Sequence, residues 1–95
     1  MRVYISGPIT GTEDYMERFA KAEEKLTAAG HQVYNPAHAN SYMPEGTTWD
    51  EYMAVSMTLI KMCDAIYMLD GWQQSKGANR EYGYALGKGM EVWKE

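Results

Sequence analysis

The chain has 95 residues, a formal net charge of −4 and a single cysteine. This length predicts one domain, and the acidic balance excludes a DNA or RNA polymer as a good partner, because phosphate neutralisation needs clustered Lys and Arg. Cys63 permits no internal disulfide, and no His or Cys spacing is typical of a metal site, so we expect no metal and no cofactor. No apolar run approaches the ~20 residues of a membrane span, and no targeting segment precedes the first predicted strand, so we expect a cytoplasmic protein.

Hydrophobic patterning alternates strands with helices along the chain. Short apolar runs predict four strands, which are Arg2–Ser6, Gln32–Tyr34, Ala65–Leu69 and Met90–Trp93. Amphipathic stretches predict three helices, which run from the Thr10–Glu13 region to about Ala29, from Thr48 to about Cys63 and from about Gly77 to Lys88.

Local signals refine these bounds. Two capping boxes are expected, Thr10 with Glu13 and Thr48 with Glu51. The segment after the second strand is predicted to be a loop to Gly46, because Pro36 removes a backbone donor. The buried stripe of the second helix is predicted to be Tyr52, Val55, Leu59 and Met62.

This order of elements predicts an α/β fold with a parallel sheet and right-handed crossovers. The first and third strands are the most apolar, so they are expected at the centre. The result is a flavodoxin-like (Rossmann-like) three-layer sandwich of strand order 2-1-3-4, with helices on both faces. The Gly7–Gly11 loop and the Asp70–Ser75 loop then face each other across one crevice at the switch point, with Asn35–His38 on its flank.

Two carboxylates are candidates for chemistry in this crevice. Glu81 is predicted to lie about one turn into the third helix, where the positive helix end favours its ionised form. Asp70 follows directly after the third predicted strand. It is equally expected to be a turn residue or a catalytic residue. Two carboxylates that flank a glycosidic bond divide into a nucleophile and an acid, which are here Glu81 and Asp70.

The loops also offer candidate anion and ligand contacts. Gly7 to Gly11 has two interpretations of about equal weight, a tight turn or a nest of amides for a phosphate or a sugar hydroxyl. Ser75 is either an N-cap or part of an anion site with the following helix amides. Lys76 and Arg80 either hold an anion or are solvated.

Four segments carry a family resemblance: Tyr4-Ile5-Ser6-Gly7-Pro8-Ile9-Thr10-Gly11, Asn35-Pro36-Ala37, Trp49-x-x-Tyr52-Met53 and Gly71-Trp72-x-x-Ser75-x-Gly77-Ala78-x-x-Glu81. With them the chain resembles the nucleoside 2-deoxyribosyltransferase-like superfamily, most closely its small bacterial and phage members (DUF4406-like). The segments span nearly the whole chain in the expected order.

The resemblance implies that Glu81 takes 2-deoxyribose from a nucleobase and passes it to another base or to water. Members that hydrolyse deoxynucleoside 5′-monophosphates are similar in having a serine six residues before that glutamate, here Ser75. Asp70 is expected to assist the leaving base. The expected substrate-binding residues are Tyr4, Ser6, Gly7, Pro8, Ile9, Thr10, Gly11, Asn35, Trp72, Ser75, Gly77 and Ala78.

Three classes of function stay open. The first is an N-hydrolase or a deoxyribosyltransferase acting on a small nucleoside or nucleotide, assembled as a homodimer or a larger homo-oligomer like its cousins. The second is a non-catalytic nucleotide-binding or sensing module, favoured because Glu95 follows closely on the fourth strand, whereas the superfamily's enzymes continue with another strand. The third is an interaction protein that uses exposed aromatic residues.

Overall fold

The computed structural model describes all 95 residues and is built on one parallel sheet. Its strands are β1 (Arg2–Ser6), β2 (Gln32–Tyr34), β3 (Ala65–Met68) and β4 (Glu91–Lys94). Its helices are α1 (Tyr15–Ala28), α2 (Pro36–Ser41), α3 (Trp49–Ile60) and α4 (Lys76–Lys88), with a 3-10 turn at Trp72–Gln74 before α4. The sheet order is β2-β1-β3-β4, so the predicted fold class and strand order are confirmed.

Two apolar layers enclose the sheet because successive strand side chains point to opposite faces. Val3 and Ile5 of β1 pack on one face with Phe19 of α1. Tyr4 lies on the other face with Ile60 of α3 and with residues of α4. Each strand pair is parallel and in register along its length, and this alignment brings the carboxyl ends of β1 and β3 side by side.

The prediction of a continuous loop after β2 is wrong, because this segment contains the short helix α2. The side-chain oxygen of Asn35 accepts hydrogen bonds from the amides of Ala37 and His38. Pro36 is at the first position of the helix, where its missing amide has no intrahelical partner to lose. The same proline therefore both stops the strand and starts a helix.

Only one of the two expected capping boxes exists. Thr48 and Glu51 exchange both hydrogen bonds at the start of α3. Thr10 and Glu13 do not, because the amide of Thr12 bonds back to Ile9 in a turn, and α1 begins only at Tyr15.

The predicted stripe of α3 is wrong by about one residue. The buried residues are Met53, Ser56 and Ile60, and Met62 is 43% exposed beyond the helix end. A hydrophobic pattern cannot indicate this face, because its central residue is a serine, which is buried near Tyr4.

Gly7 has a packing role where β1 ends. A Cβ atom on Gly7 would lie 2.8 Å from Cβ of Leu69, closer than side chains approach one another. The absence of a side chain therefore lets the chain segments after β1 and β3 pack in contact. No helix in the structure combines the length and apolar character that crossing a bilayer requires.

Candidate active site

A cavity of about 650 Å³ opens at the carboxyl ends of β1 and β3, where chain connections leave the sheet in opposite directions. Its volume is in the range of small-molecule sites in proteins. The lining comes from the loop after β1, from the 3-10 turn and Ser75 before α4, and from α1, α2, α3 and α4. The lining residues are Gly7, Ile9, Thr10, Tyr15, Phe19, Pro36, Asn40, Trp49, Tyr52, Met53, Ser56, Gln74, Ser75, Lys76, Gly77, Ala78 and Glu81.

Glu81 is a buried carboxylate in this lining, with 5% of its surface exposed. Its Oε2 accepts a hydrogen bond of 2.5 Å from the Tyr4 hydroxyl. Its Oε1 accepts one of 2.7 Å from Oγ of Ser6. Tyr4 and Ser6 are two residues apart on β1 and so point to the same face of the sheet. Both oxygens of the carboxylate are therefore held by hydroxyls from one strand.

Burial shifts the protonation of this group. Desolvation raises the pKa of Glu81 from 4.5 to about 7, against the opposing effect of the hydrogen bonds from Tyr4 and Ser6. Burial and the adjacent carboxylate also raise the pKa of Tyr4 well above its ordinary value, so its hydroxyl stays a donor. Near neutral pH, Glu81 is divided between an ionised form, which can act as a nucleophile, and a protonated form.

About half of the residues predicted to form the site line the cavity, and they are Gly7, Ile9, Thr10, Ser75, Gly77, Ala78 and Glu81. Tyr4 and Ser6 have no exposed surface and do not line it. They lie beneath Glu81 and contact its carboxylate instead of the cavity. Ser75 is the N-cap of α4, since its Oγ accepts a hydrogen bond of 3.1 Å from the amide of Ala78.

Asp70 lies outside the cavity. It is exposed, its carbonyl accepts a hydrogen bond from the Arg18 side chain, and its amide donates to the Glu95 carboxylate. Glu81 is the only carboxylate in the lining. The expected pair of carboxylates across the crevice is therefore not formed.

Four more predicted contacts lie away from the lining: Pro8, Gly11, Asn35 and Trp72. Asn35 uses its side chain to cap α2. Trp72 packs against Tyr82 of α4 with ring centroids 4.6 Å apart, and both rings pack against the core. Asn35 and Trp72 therefore stabilise the elements that surround the cavity.

Aromatic side chains that the sequence did not place in the site form much of its wall. Tyr15 and Phe19 come from α1, and Trp49 and Tyr52 come from the first turn of α3. The Trp49-x-x-Tyr52-Met53 motif was the available signal for the second pair. Aromatic faces of this kind pack well against a flat ring.

Two cations lie against Trp49. Nζ of Lys76 is 4.7 Å from the centroid of the indole, and the Arg80 guanidinium carbon is 5.4 Å from it. Lys76 also lines the cavity, so positive charge reaches its edge.

One buried polar atom of the lining residues has no hydrogen-bond partner. Oδ1 of Asn40 is buried and is the only buried side-chain nitrogen or oxygen without a hydrogen bond. An unsatisfied buried acceptor costs about 1–3 kcal/mol, so this side chain is available to a donor on a ligand. No cluster of His, Cys, Asp or Glu suited to a metal ion occurs in the structure.

Comparison with known proteins places the chain in a family. The model described as "Domain of unknown function (DUF4406)" matches residues 1–94, and the chain belongs to this family. A solved structure of a 2-deoxyribosyltransferase from the psychrotolerant bacterium Bacillus psychrosaccharolyticus is similar, with a TM-score of 0.79 and 21% sequence identity. The alignment covers 99% of this chain and 71% of that one. The sequence matches none of the curated proteins with which it was compared.

These findings confirm the resemblance indicated by the motifs. The chain belongs to the DUF4406 family, and its fold is similar to that of a 2-deoxyribosyltransferase.

Proposed function

We propose that this DUF4406 protein cleaves the N-glycosidic bond of 2′-deoxynucleosides or their 5′-monophosphates, with Glu81 as the nucleophile. One observation carries the proposal. A buried carboxylate, held by two hydroxyls, lines a cavity with aromatic walls. The likeness of the fold to a 2-deoxyribosyltransferase supports the choice of substrate class.

The proposed reaction has two steps. An oxygen of ionised Glu81 attacks C1′ of the deoxyribose, the C1′–N bond breaks, and its electron pair leaves with the base. A water molecule or a second base then attacks C1′, the C1′–O bond to Glu81 breaks and restores the carboxylate, and the proton of the attacking group passes to the released base. Because the sugar has no electron-withdrawing 2′-hydroxyl, positive charge at C1′ forms readily. With water as the acceptor the protein is a hydrolase, and with a second base as the acceptor it is a transferase.

The burial of Glu81 supports the first step. An ionised carboxylate in a desolvated position is destabilised, as the raised pKa of Glu81 records. Forming a neutral glycosyl ester removes that charge, so the electrostatics of the site favour attack. Tyr4 and Ser6 are positioning residues that fix the orientation of the carboxylate through their hydrogen bonds.

The leaving base needs a proton or a hydrogen bond, and no second carboxylate lines the cavity to supply it. The lining does contain hydroxyl groups that can donate a hydrogen bond, and they belong to Thr10, Tyr15, Tyr52, Ser56 and Ser75. We assign assistance to the leaving base to this set in place of Asp70.

The single carboxylate also favours a second candidate function, a nucleotide-binding module without catalysis. Such a module uses the same aromatic walls but forms no glycosyl ester. The two functions differ in one measurable product, the free base.

The test is base release from a panel of 2′-deoxynucleosides and their 5′-monophosphates, separated by chromatography. Wild-type protein is compared with Glu81→Gln, and Asp70→Asn is the matched control. Free base from wild type and Asp70→Asn but not from Glu81→Gln supports the enzyme, and new nucleosides with a second base present identify a transferase. Release by Glu81→Gln at the wild-type rate contradicts the assigned nucleophile. If the wild type releases no base at saturating ligand, the result supports the nucleotide-binding module without catalysis.

As part of the same proposal, the protein works as a homodimer or a larger homo-oligomer. Several large apolar side chains are exposed and available for assembly, namely Met16, Tyr42, Met62 and Leu86. Light scattering at micromolar concentration tests this, and a monomeric mass contradicts it.

A further inference from the structure

Asn40 is a residue of the cavity wall whose hydrogen bonding the protein leaves incomplete. Its Oδ1 is buried without a partner, and no other buried side-chain nitrogen or oxygen shares this condition. Elsewhere the protein pairs its buried polar groups, as it does for Glu81 with the hydroxyls of Tyr4 and Ser6. A buried acceptor without a donor is costly, so folded proteins retain few of them. Where the exception lies in a cavity wall, a ligand can supply the missing donor.

The position of Asn40 on α2 places it at the cavity. Pro36 lies four residues earlier, so the two residues share one face of the helix, and both line the cavity. α2 packs against both α1 and α3, and these two helices supply the aromatic side chains of the lining. The carboxamide of Asn40 therefore borders a space that has aromatic side chains on both flanking helices.

We propose that Asn40 is a specificity-determining residue that binds the edge of the nucleobase, with Oδ1 accepting a hydrogen bond from an N–H group of the base. This inference rests on the proposed function for the identity of the ligand. It deepens that function by naming a residue, outside the Glu81 centre, that recognises the base.

The arrangement of the helices suits this assignment. Glu81 is on α4, and α4 packs against α3 as α2 does, so Glu81 and Asn40 reach the cavity from different helices. The cavity volume of about 650 Å³ accommodates a nucleoside. With C1′ of the sugar at Glu81, the base occupies the aromatic part of the cavity, and its outer edge is the part that meets Asn40.

The carboxamide of Asn40 matches the edge of a base at two points. Oδ1 accepts from an N–H group, and the NH2 group of the same side chain donates to the adjacent ring nitrogen or carbonyl. Asparagine makes paired contacts of this kind with adenine in DNA. The χ2 torsion of asparagine is broad, so the amide can turn its oxygen toward a donor that enters the cavity. Aromatic side chains, by contrast, stack on the face of any base and do not distinguish its edge.

The test measures binding without turnover, in the Glu81→Gln background, by titration calorimetry. Two pairs of ligands differ only in an exocyclic amino group: 2′-deoxyadenosine with purine 2′-deoxyriboside, and 2′-deoxycytidine with 2-pyrimidinone 2′-deoxyriboside. Each is used as the nucleoside and as the 5′-monophosphate. Asn40→Leu and Asn40→Ala remove the carboxamide. Gln73→Leu is the matched control, because Gln73 carries the same group on the 3-10 turn but lies outside the lining.

We expect each amino-bearing ligand to bind about ten- to hundredfold more tightly than its partner, because only the amino group satisfies the acceptor that is unpaired in the free protein. Asn40→Leu and Asn40→Ala should remove this preference, and Gln73→Leu should keep it. Thermal unfolding of each variant verifies that it is folded.

Equal affinity within each pair overturns the inference and leaves the proposed function intact. A preference for the amino group that persists in both folded Asn40 variants also overturns it, because another residue then recognises that group. If the folded protein binds none of these nucleosides or nucleotides, the result contradicts the proposed function itself.

Discussion

The hydroxyl of Tyr4 donates a hydrogen bond of 2.5 Å to the carboxylate of Glu81, although 77 positions of sequence separate the two residues. The contact joins the central strand β1 to α4, directly under the cavity. Since the same carboxylate also accepts from Ser6, its protonation depends on two groups that a ligand does not touch. Substituting Tyr4 or Ser6 can therefore alter the reactivity of Glu81 without changing the residues that line the cavity.

Replacing Tyr4 by Phe should move the pH dependence of the reaction. The pKa of Glu81 is about 7, and the hydrogen bond from Tyr4 lowers it from a still higher value. Without that donor the anion is less stable, so the pKa of Glu81 rises by about one to two units, the equivalent of one hydrogen bond to a charged group. The ascending limb of kcat/KM against pH should shift to higher pH by this amount.

The matched control is Tyr67→Phe, because Tyr67 is a buried tyrosine of β3 on the opposite face of the sheet. We expect its pH profile to coincide with that of the wild type. An unshifted profile for Tyr4→Phe, with a folded protein, means that the hydroxyl does not tune Glu81.

Burial of Glu81 should also make stability depend on pH. The folded-state pKa of about 7 exceeds the ordinary value of 4.5, so between these values the folded protein binds more protons than the unfolded chain. The free energy of unfolding contributed by this group therefore falls as pH rises through that window, by about 3 kcal/mol in total. Glu81→Gln should lack this decrease and be more stable than wild type above pH 7.

Denaturant unfolding at several pH values tests this, with the difference between variant and wild type as the measured quantity. Substitution of the exposed Glu24 by Gln is the control and should give a difference that does not vary across the window. A wild type whose stability follows that of Glu81→Gln at every pH shows that the carboxylate is not destabilised by burial.

The sheet could be predicted from the sequence because its signals are local. The apolar runs of β1 and β3 identify the two central strands, and strand–helix alternation fixes parallel pairing. The short helix α2 was missed because six residues offer no periodicity, although Asn35 followed by Pro36 is a helix-start pattern.

The site could be predicted only in part, for a related reason. Glu81 follows from its place on the helix after β3, but Asp70 depends on the direction in which a loop residue points. The backbone of this loop residue is held by long-range contacts with Arg18 and Glu95, which no local pattern encodes. The aromatic wall was missed because Tyr15 and Phe19 have the spacing of ordinary core residues.

Glycine at position 7 should be required for stability. In Gly7→Ala the new methyl group would lie 2.8 Å from Cβ of Leu69, which is held by the ends of two strands. We expect a loss of about 1–3 kcal/mol, the range for overpacking of a close-packed interior. Gly83→Ala is the control, because no atom lies within 4 Å of that Cβ and alanine favours the interior of α4. Its expected gain is about 0.5–1 kcal/mol, and chemical denaturation that ranks the two variants in the opposite order contradicts the packing role.

The two threonines with capping-box spacing should differ in their contribution to stability. Oγ1 of Thr48 accepts a hydrogen bond of 3.2 Å from the amide of Glu51 at the start of α3, so Thr48→Ala should cost about 1 kcal/mol. Thr10 has the same sequence pattern but caps no helix, because α1 begins at Tyr15. Thr10→Ala should therefore change the free energy of unfolding by less than about 0.5 kcal/mol, as ordinary exposed positions do. Urea denaturation of both variants gives the comparison, and equal losses would mean that α1 is capped one turn earlier in solution.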